Sequence, residues 1–318
     1  MEDELAGSLR RSGASVEVAR ADRAPEVRTF PLLDLVQARA ARAAAREGIA
    51  AHRPRAILYS TTTAALLWPA PGPIHFDAPA AGNRPGRHGV WQRPVERRRF
   101  AAAPLLVAQS AGGLDEAPDP HADALVIPVP AEPSGPPGER RDVAAVTYAA
   151  DVEKKGLDRV LAAWGKARRP DEELVVAGID EAAARPRGRA ARAPVDGVRF
   201  AGSLPRADFR ELLRRARVYV TAPRREDYGL TQLEALADGC MLITTPAPGP
   251  YAALPMAREL DPRLVADDLA PALRAALDEP RDDYVDHARA ALVPFRRGAV
   301  DALIAQQLVP RLVELGRD

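Results

Sequence analysis

Residues 219–239 read YVTAPRREDYGLTQLEALADG, and the order of residue types in this stretch sets the architecture expected around it. Residues 218–221 form an apolar, β-branched run that reads as a buried strand. Pro223 and the charged Arg224, Arg225, Glu226 and Asp227 break that run into a polar loop. Gly229 then precedes a helical stretch, residues 230–238, which Gly239 closes. Strand, polar loop and helix are the repeating unit of open parallel sheets, whose ligands bind beyond the carboxyl ends of the strands, where this loop falls. The start of the helix leaves the amides of Leu230 and Thr231 without intrahelical acceptors, and its dipole favours an anion such as a diphosphate. Glu226 lies on the loop and Glu234 about one turn inside the helix, with seven residues between them. That spacing lets one carboxylate reach past the phosphates toward a sugar while the other accepts from nucleotide hydroxyls. Two glutamates so spaced are, taken alone, more often a solvated loop charge and a helix-surface residue.

The alternation continues on both sides. Downstream of residue 142, strands are expected at 143–148, 174–177, 198–200, 218–221 and 241–244, with helices at 157–168, 206–216, 230–238 and 269–277. Upstream, strands are expected at 15–18, 56–59, 74–77, 105–108 and 125–129, with a long Ala- and Arg-rich helix at 32–52. Residues 131–141, AEPSGPPGERR, break both patterns. The expected fold class is therefore α/β, with two Rossmann-like domains facing a cleft. Their bounds are 1–133 and 142–297, joined by a linker at 134–141 and followed by a terminal helical stretch at 298–318. The first domain lacks the opening strand and glycine turn of a doubly wound sheet, because Met1 leads directly into helical residues 2–11. A lost central strand leaves unpaired backbone edges, which points to a start codon upstream of Met1.

The 318 residues carry 45 Lys and Arg against 44 Asp and Glu, a net charge of +1, so no field gathers nucleic acid. Cys240 is the single cysteine, which excludes an internal disulfide and a cysteine metal cage and suits a reducing, cytoplasmic setting. No apolar run reaches the roughly 20 residues of a membrane span. Small Arg-rich patches leave room only for weak peripheral contact with a membrane surface. His52, His121 and His287 lack metal spacing, so no metal site is expected. Lysine occurs only at Lys154, Lys155 and Lys166, consistent with the coding bias of a GC-rich bacterial genome, and two of the three are adjacent.

The segment E-x7-E, with an aromatic-Gly pair after the first glutamate and Glu-Ala-Leu-Ala-Asp-Gly at its end, resembles the donor-site signature of retaining glycosyltransferases of the GT-B fold, family 4 (group 1 glycosyltransferases). Further landmarks stand in the family's order: Lys155-Gly156, then VVAG at 175–178, VRFAG at 198–202 and ARVYVTAP at 216–223. In the first half, LLVAQS at 105–110 and ALVIPVP at 124–130 resemble the last strands of the acceptor-side domain, although the family's Pro-Asn-Gly is Pro128-Val-Pro130 here. The resemblance covers residues 143–280 strongly.

It implies transfer of a sugar, with retention, from a nucleotide-diphospho-sugar to a hydroxyl of a glycan, lipid or small molecule, with no metal or other cofactor. Lys155 would pair with the diphosphate and Glu226 would bind hydroxyls of the transferred sugar, and these two form the catalytic pair. Tyr228, Gly229, Leu230 and Thr231 would line the donor site, the amides near Gly229 and Leu230 holding phosphate, with Glu234 on the ribose and Gly202, Ser203 and Leu204 near the nucleobase. A second phosphate-binding arginine, usual six positions before the lysine, is replaced by Ala149; Lys154, Arg84 or Arg87 are the candidates to replace it. On the acceptor side, residues 74–89 follow a strand and offer His75, Asp77, Asn83, Arg84, Arg87 and His88. The run Ser60-Thr61-Thr62-Thr63 reads as a helix N-cap in preference to a phosphate site. Two other readings stand beside the transferase: a noncatalytic GT-B-like binding or interaction protein, which Ala149 and the missing strand favour, and a sugar-nucleotide epimerase, which fits the double-glutamate signature less well.

Overall fold

The computed structural model describes residues 2–22, 27, 29–118, 123–136, 141–184 and 196–316. Met1, His121 and residues 137–140 of the expected linker lie outside them. The chain divides into two units, one comprising Met1–Pro130 and Phe295–Asp318, the other Ala131–Pro294. Residues 131–136, expected at the end of the first domain and in the linker, belong to the second unit, where the Ser134 amide donates to Asp238 Oδ1 at 2.7 Å.

The first unit is built on a parallel sheet of β1 (Ile74–Phe76), β2 (Leu106–Ala108) and β3 (Ala124–Val126), in that order. Two of the expected strands are not formed. Residues 15–18 pair with no strand among the described residues, and Val16 only packs at the edge of the core. Residues 56–59 contribute a single bridge, Tyr59 to Ile74, held by Tyr59 N–H to Pro73 O at 2.9 Å and His75 N–H to Tyr59 O at 2.8 Å. The next rung back would need an N–H from Pro73, and proline has none.

One face of this sheet packs on Tyr59, Trp68, Phe76 and Phe100. The other packs Leu105, Val107, Leu125 and Ile127 against Leu9 of the first helix, Glu2–Arg11, and against Val300, Ile304 and Leu308 of the terminal helices. The two ends of the chain are also joined by ion pairs, Arg11 to Asp301 at 2.7 Å and Arg297 to Glu4. The terminal helix widens to a π-turn at Ile304–Leu308 just before Pro310, whose ring nitrogen donates no bond.

The second unit is a five-stranded parallel sheet: β4 (Val143–Tyr148), β5 (Leu174–Ala177), β6 (Val198–Gly202), β7 (Ala216–Thr221) and β8 (Met241–Thr244), ordered β6-β5-β4-β7-β8. Every residue of β5 and β8 is buried, as expected of strands covered on both faces. Helix Leu157–Ala167 buries Leu157, Val160, Ala163, Trp164 and Ala167, a 3.6-residue stripe, and packs beside Leu269–Asp278. Helix Arg206–Arg215 follows β6, and Leu230–Ala237 follows β7, buried from Gln232 to Ala237. Among the described residues no helix is long and apolar enough to cross a membrane.

Candidate active site of the second unit

Chain order reverses between β4 and β7, which are neighbours in the sheet although β5 and β6 separate them in sequence. At such a reversal the loops leaving the two strands diverge and open a crevice beyond their carboxyl ends. The two loops are drawn together at one point. Gly156 has φ 63°, and a Cβ placed there would stand 1.9 Å from the carbonyl oxygen of Ala222, so only glycine permits the approach. The Arg224 amide donates to Lys154 O at 3.1 Å and Asp151 caps the Lys154 amide at 2.9 Å, which fixes the backbone of the lysine pair against the loop after β7.

The result is two lysine–acid pairs side by side. Lys155 Nζ donates to Glu226 Oε2 at 2.7 Å, with the glutamate side chain only 6% exposed. Lys154 Nζ donates to Asp227 Oδ2 at 2.8 Å, and Arg225 Nε to the other oxygen of Asp227 at 3.0 Å. Glu226 is clamped from behind: its amide donates to Pro248 O at 3.1 Å, and Gly249, at φ 111°, lets the loop after β8 pass against its carbonyl. Gln232 Nε2 adds a second donor to Glu226 Oε2 at 2.9 Å.

Gly229, at φ 89°, starts helix Leu230–Ala237 and lies against the Tyr251 ring, where a Cβ would approach to 2.8 Å. Tyr228 is buried, its carbonyl accepting from the Ala252 amide, whereas Leu230 and Thr231 are half-buried, so the open part of this helix is its first turn. Unpaired amides and the dipole are available there to an anion. One turn on, Glu234 is buried between Arg206, which is largely exposed, and Arg210, whose Nη1 stands 3.3 Å from Oε1. Arg210 is itself buried and also binds Asp238 Oδ2 at 2.6 Å. Gly202 ends β6 with φ 67°, and Ser203 and Leu204 follow it into the loop before Arg206. The position of the family's second cation is occupied by Ala149, fully buried. Burial raises the phenols of Tyr219 and Tyr251 above the usual tyrosine range, and the nearby Glu226 charge pushes the same way. The buried Cys240 thiol is pushed up to about 12, so it is a packing residue at neutral pH.

The structure thus gathers Lys155, Glu226, Tyr228, Gly229, Leu230 and Thr231 at the carboxyl ends of β4 and β7, with Glu234 and residues 202–204 on either side of Arg206. Sequence reasoning passed over Gln232, Tyr251, Asp227, Arg206 and Arg210. A glutamine and an acid inside the stretch 230–237, whose other residues apart from Thr231 are apolar, were the available signal for the first.

In the first unit, His75 is buried in β1 with Nδ1 3.3 Å from Ser60 O, and Asp77 accepts the Ala78 amide at 2.7 Å. Arg84 forms a two-pronged pair with buried Asp34, at 2.9 and 3.2 Å, and also holds the carbonyl of Asn83. Gln92 donates to the same Asp34 at 2.7 Å. Beside them Glu96 is buried, accepting the Ala80 amide at 2.8 Å, and desolvation pushes its carboxyl up to about 7. Arg87 and His88 are exposed on the 3₁₀ turn Gly86–Gly89. Thr61 caps helix Thr62–Leu66 through the Ala64 amide at 3.1 Å, in keeping with the N-cap reading.

Residues 136–290 match the family model for glycosyl transferases group 1. No curated relative matches the sequence. Among solved structures, sucrose-phosphate synthase from Thermosynechococcus elongatus superposes with a TM-score of 0.69 at 16% identity, over 92% of this chain and 82% of that one. WaaG, a glycosyltransferase involved in lipopolysaccharide biosynthesis, gives 0.67 at 15% identity over 95% and 94%. An α,α-trehalose-phosphate synthase (UDP-forming) from Burkholderia xenovorans, in complex with glucose-6-phosphate, gives 0.61 at 16% identity over 88% and 78%. The chain has the GT-B fold.

Proposed function

We propose that this chain, whose residues 136–290 match the family model for glycosyl transferases group 1, moves a sugar from a nucleotide-diphospho-sugar to a hydroxyl acceptor with retention at the anomeric carbon. The observation that carries the reading is the Lys155–Glu226 pair, held at the sheet's reversal beside the open first turn of helix Leu230–Ala237. In this reading Lys155 and the amides near Gly229, Leu230 and Thr231 receive the diphosphate, Glu226 receives hydroxyls of the sugar, and Glu234 receives the ribose. Residues 202–204 border the nucleobase. Preorganised charge of this kind stabilises a departing diphosphate more than it stabilises the intact donor. The bond from the anomeric carbon to the diphosphate oxygen breaks, and the bond to the acceptor oxygen forms on the same face. The acceptor's proton passes to the departing phosphate oxygen, so neither a protein base nor a metal ion is required. The acceptor side is assigned to the first unit, with Asp77, Arg87 and His88 as its contacts, and the setting is cytoplasmic. Arg84 is a weaker candidate because Asp34 already engages it.

Calorimetric titration with UDP and then GDP, with and without chelator, tests the donor site. Binding of one nucleotide is expected, insensitive to chelator and weakened about tenfold or more by Glu234→Ala, as for loss of a hydrogen bond to a charged group. No binding of either by the folded chain would overturn the assignment. The buried Ala149 supports a second reading, a noncatalytic nucleotide-sugar-binding protein, which predicts binding without turnover for every donor and acceptor pair.

A further inference from the structure

Resting on that reading, we infer that Gln232 is a positioning residue: it holds the Glu226 carboxylate while Lys155 turns from the glutamate to the diphosphate. Both Lys155 Nζ and Gln232 Nε2 donate to the same oxygen, Oε2, at 2.7 and 2.9 Å. Glu226 is buried, and a buried carboxylate that loses its cationic partner, here Lys155 alone among the described residues, is left uncompensated, a costly state. Lys155 is the partner a diphosphate competes for. Gln232 is neutral, so it has no corresponding attraction to the anion and stays with Glu226. It keeps Oε2 occupied, and Oε1, which receives no donor among the described residues, stays turned toward the sugar hydroxyls.

The amide is itself braced. The Tyr251 hydroxyl lies against Gln232 and shares a 2.9 Å hydrogen bond with Thr244 Oγ1 at the end of β8, so the chain Thr244, Tyr251, Gln232, Glu226 runs from the sheet to the site. Packing alone does not account for a glutamine here. Its Oε1 is buried with no hydrogen-bond partner, a penalty that leucine or methionine in the same space would avoid.

The test uses the full chain with Gln232→Met, which keeps length and removes the donor, and Tyr251→Phe, which removes the brace alone. Release of nucleoside diphosphate from UDP-glucose and GDP-mannose is followed with water or added sugars as acceptor, alongside calorimetry with UDP and GDP. For Gln232→Met, kcat is expected to fall roughly 10- to 100-fold, with the acidic limb of its pH profile moved to higher pH, while nucleoside diphosphate affinity changes less than about threefold. Tyr251→Phe should shift both readouts in the same direction by less. A variant with kcat within about threefold of wild type and an unmoved pH profile overturns the positioning role. So does a parallel loss of nucleotide affinity, which would mark Gln232 as a prop for the whole helix start. A wild-type chain that binds nucleotide but turns over no donor with any acceptor, once the pair of UDP-glucose and GDP-mannose is widened to other donors, overturns the transferase reading, and this inference with it.

Discussion

Replacing Glu96 with glutamine should stabilise the protein in alkaline solution and do progressively less as the pH falls. Glu96 is 3% exposed, accepts the Ala80 amide and the Thr62 side chain, and stands near a second buried carboxylate, Asp34. Desolvation is the largest influence on it, and Asp34 adds to that, so its folded carboxyl titrates at about 7 against 4.5 for the unperturbed group. A raised folded value means that the native chain holds the proton more tightly than the unfolded chain does. Its contribution is therefore fully present below pH 4.5 and is lost as the pH rises through 7. The interval is worth roughly 3 kcal/mol, at about 1.4 kcal/mol for each pH unit. Glutamine never ionises, and its carbonyl retains the Ala80 bond. Above pH 8 the Glu96→Gln chain should exceed wild type by up to roughly 3 kcal/mol, or about 4–5 °C in Tm for a chain of this size, and the gap should close toward pH 5. Differential scanning calorimetry of both chains between pH 5 and 8.5 measures this directly. A gap that stays constant across that range, or a variant less stable than wild type at pH 8, would refute the account of Glu96 as a protonated, buried acid.

Gly156→Ala should destabilise the second unit by more than about 3 kcal/mol in chemical denaturation, because a positive-φ backbone and a contact of 1.9 Å with Ala222 O must both give way; a loss under about 1 kcal/mol would mean that the two loops can separate freely. Lys155→Arg keeps the charge but presents a planar fork, and in donor kinetics it should lower kcat/KM at least about tenfold, whereas activity near wild type would show that only charge matters at this position.

The second sheet was legible because its strands are short apolar runs separated by clear breaks. The expected strands at 143–148, 174–177 and 241–244 coincide with β4, β5 and β8, since burial along them is almost continuous and no charged residue interrupts them. The first unit was less legible for the opposite reason. Residues 15–18 and 56–59 have strand-like composition, but pairing depends on what lies alongside. Pro73 removes the donor that the second of these runs needed, and nothing in a local pattern reports that loss. The site divides in the same way. Lys155, Glu226 and Glu234 were visible as charged residues after strands or in the helix that follows one, while Arg206, Arg210 and Gln232 acquired meaning only through contacts across 24 to 28 residues or through shared burial. Arg84 shows the converse: it read as an available cation, and the fold commits it to Asp34, fifty residues away.

The choice of lysine at 155 follows from counting donors on one carboxylate. In a chain whose basic residues are almost all arginine, residues 154 and 155 are both lysine. A guanidinium facing Glu226 would span both carboxylate oxygens, as Arg84 spans those of Asp34 at 2.9 and 3.2 Å. An ammonium is a point donor and takes one oxygen, Oε2, which it shares with Gln232. In the proposed reading the other oxygen is thereby left to an incoming hydroxyl, and the ammonium retains further hydrogens with which to meet a phosphate. Asp34 belongs to a buried support and receives donors on both oxygens, whereas Glu226, among the described residues, receives them on one alone. On the proposed reading, the same pairing of a carboxylate with a cation serves rigidity in one unit and exchange in the other, and the difference lies in which cation was kept.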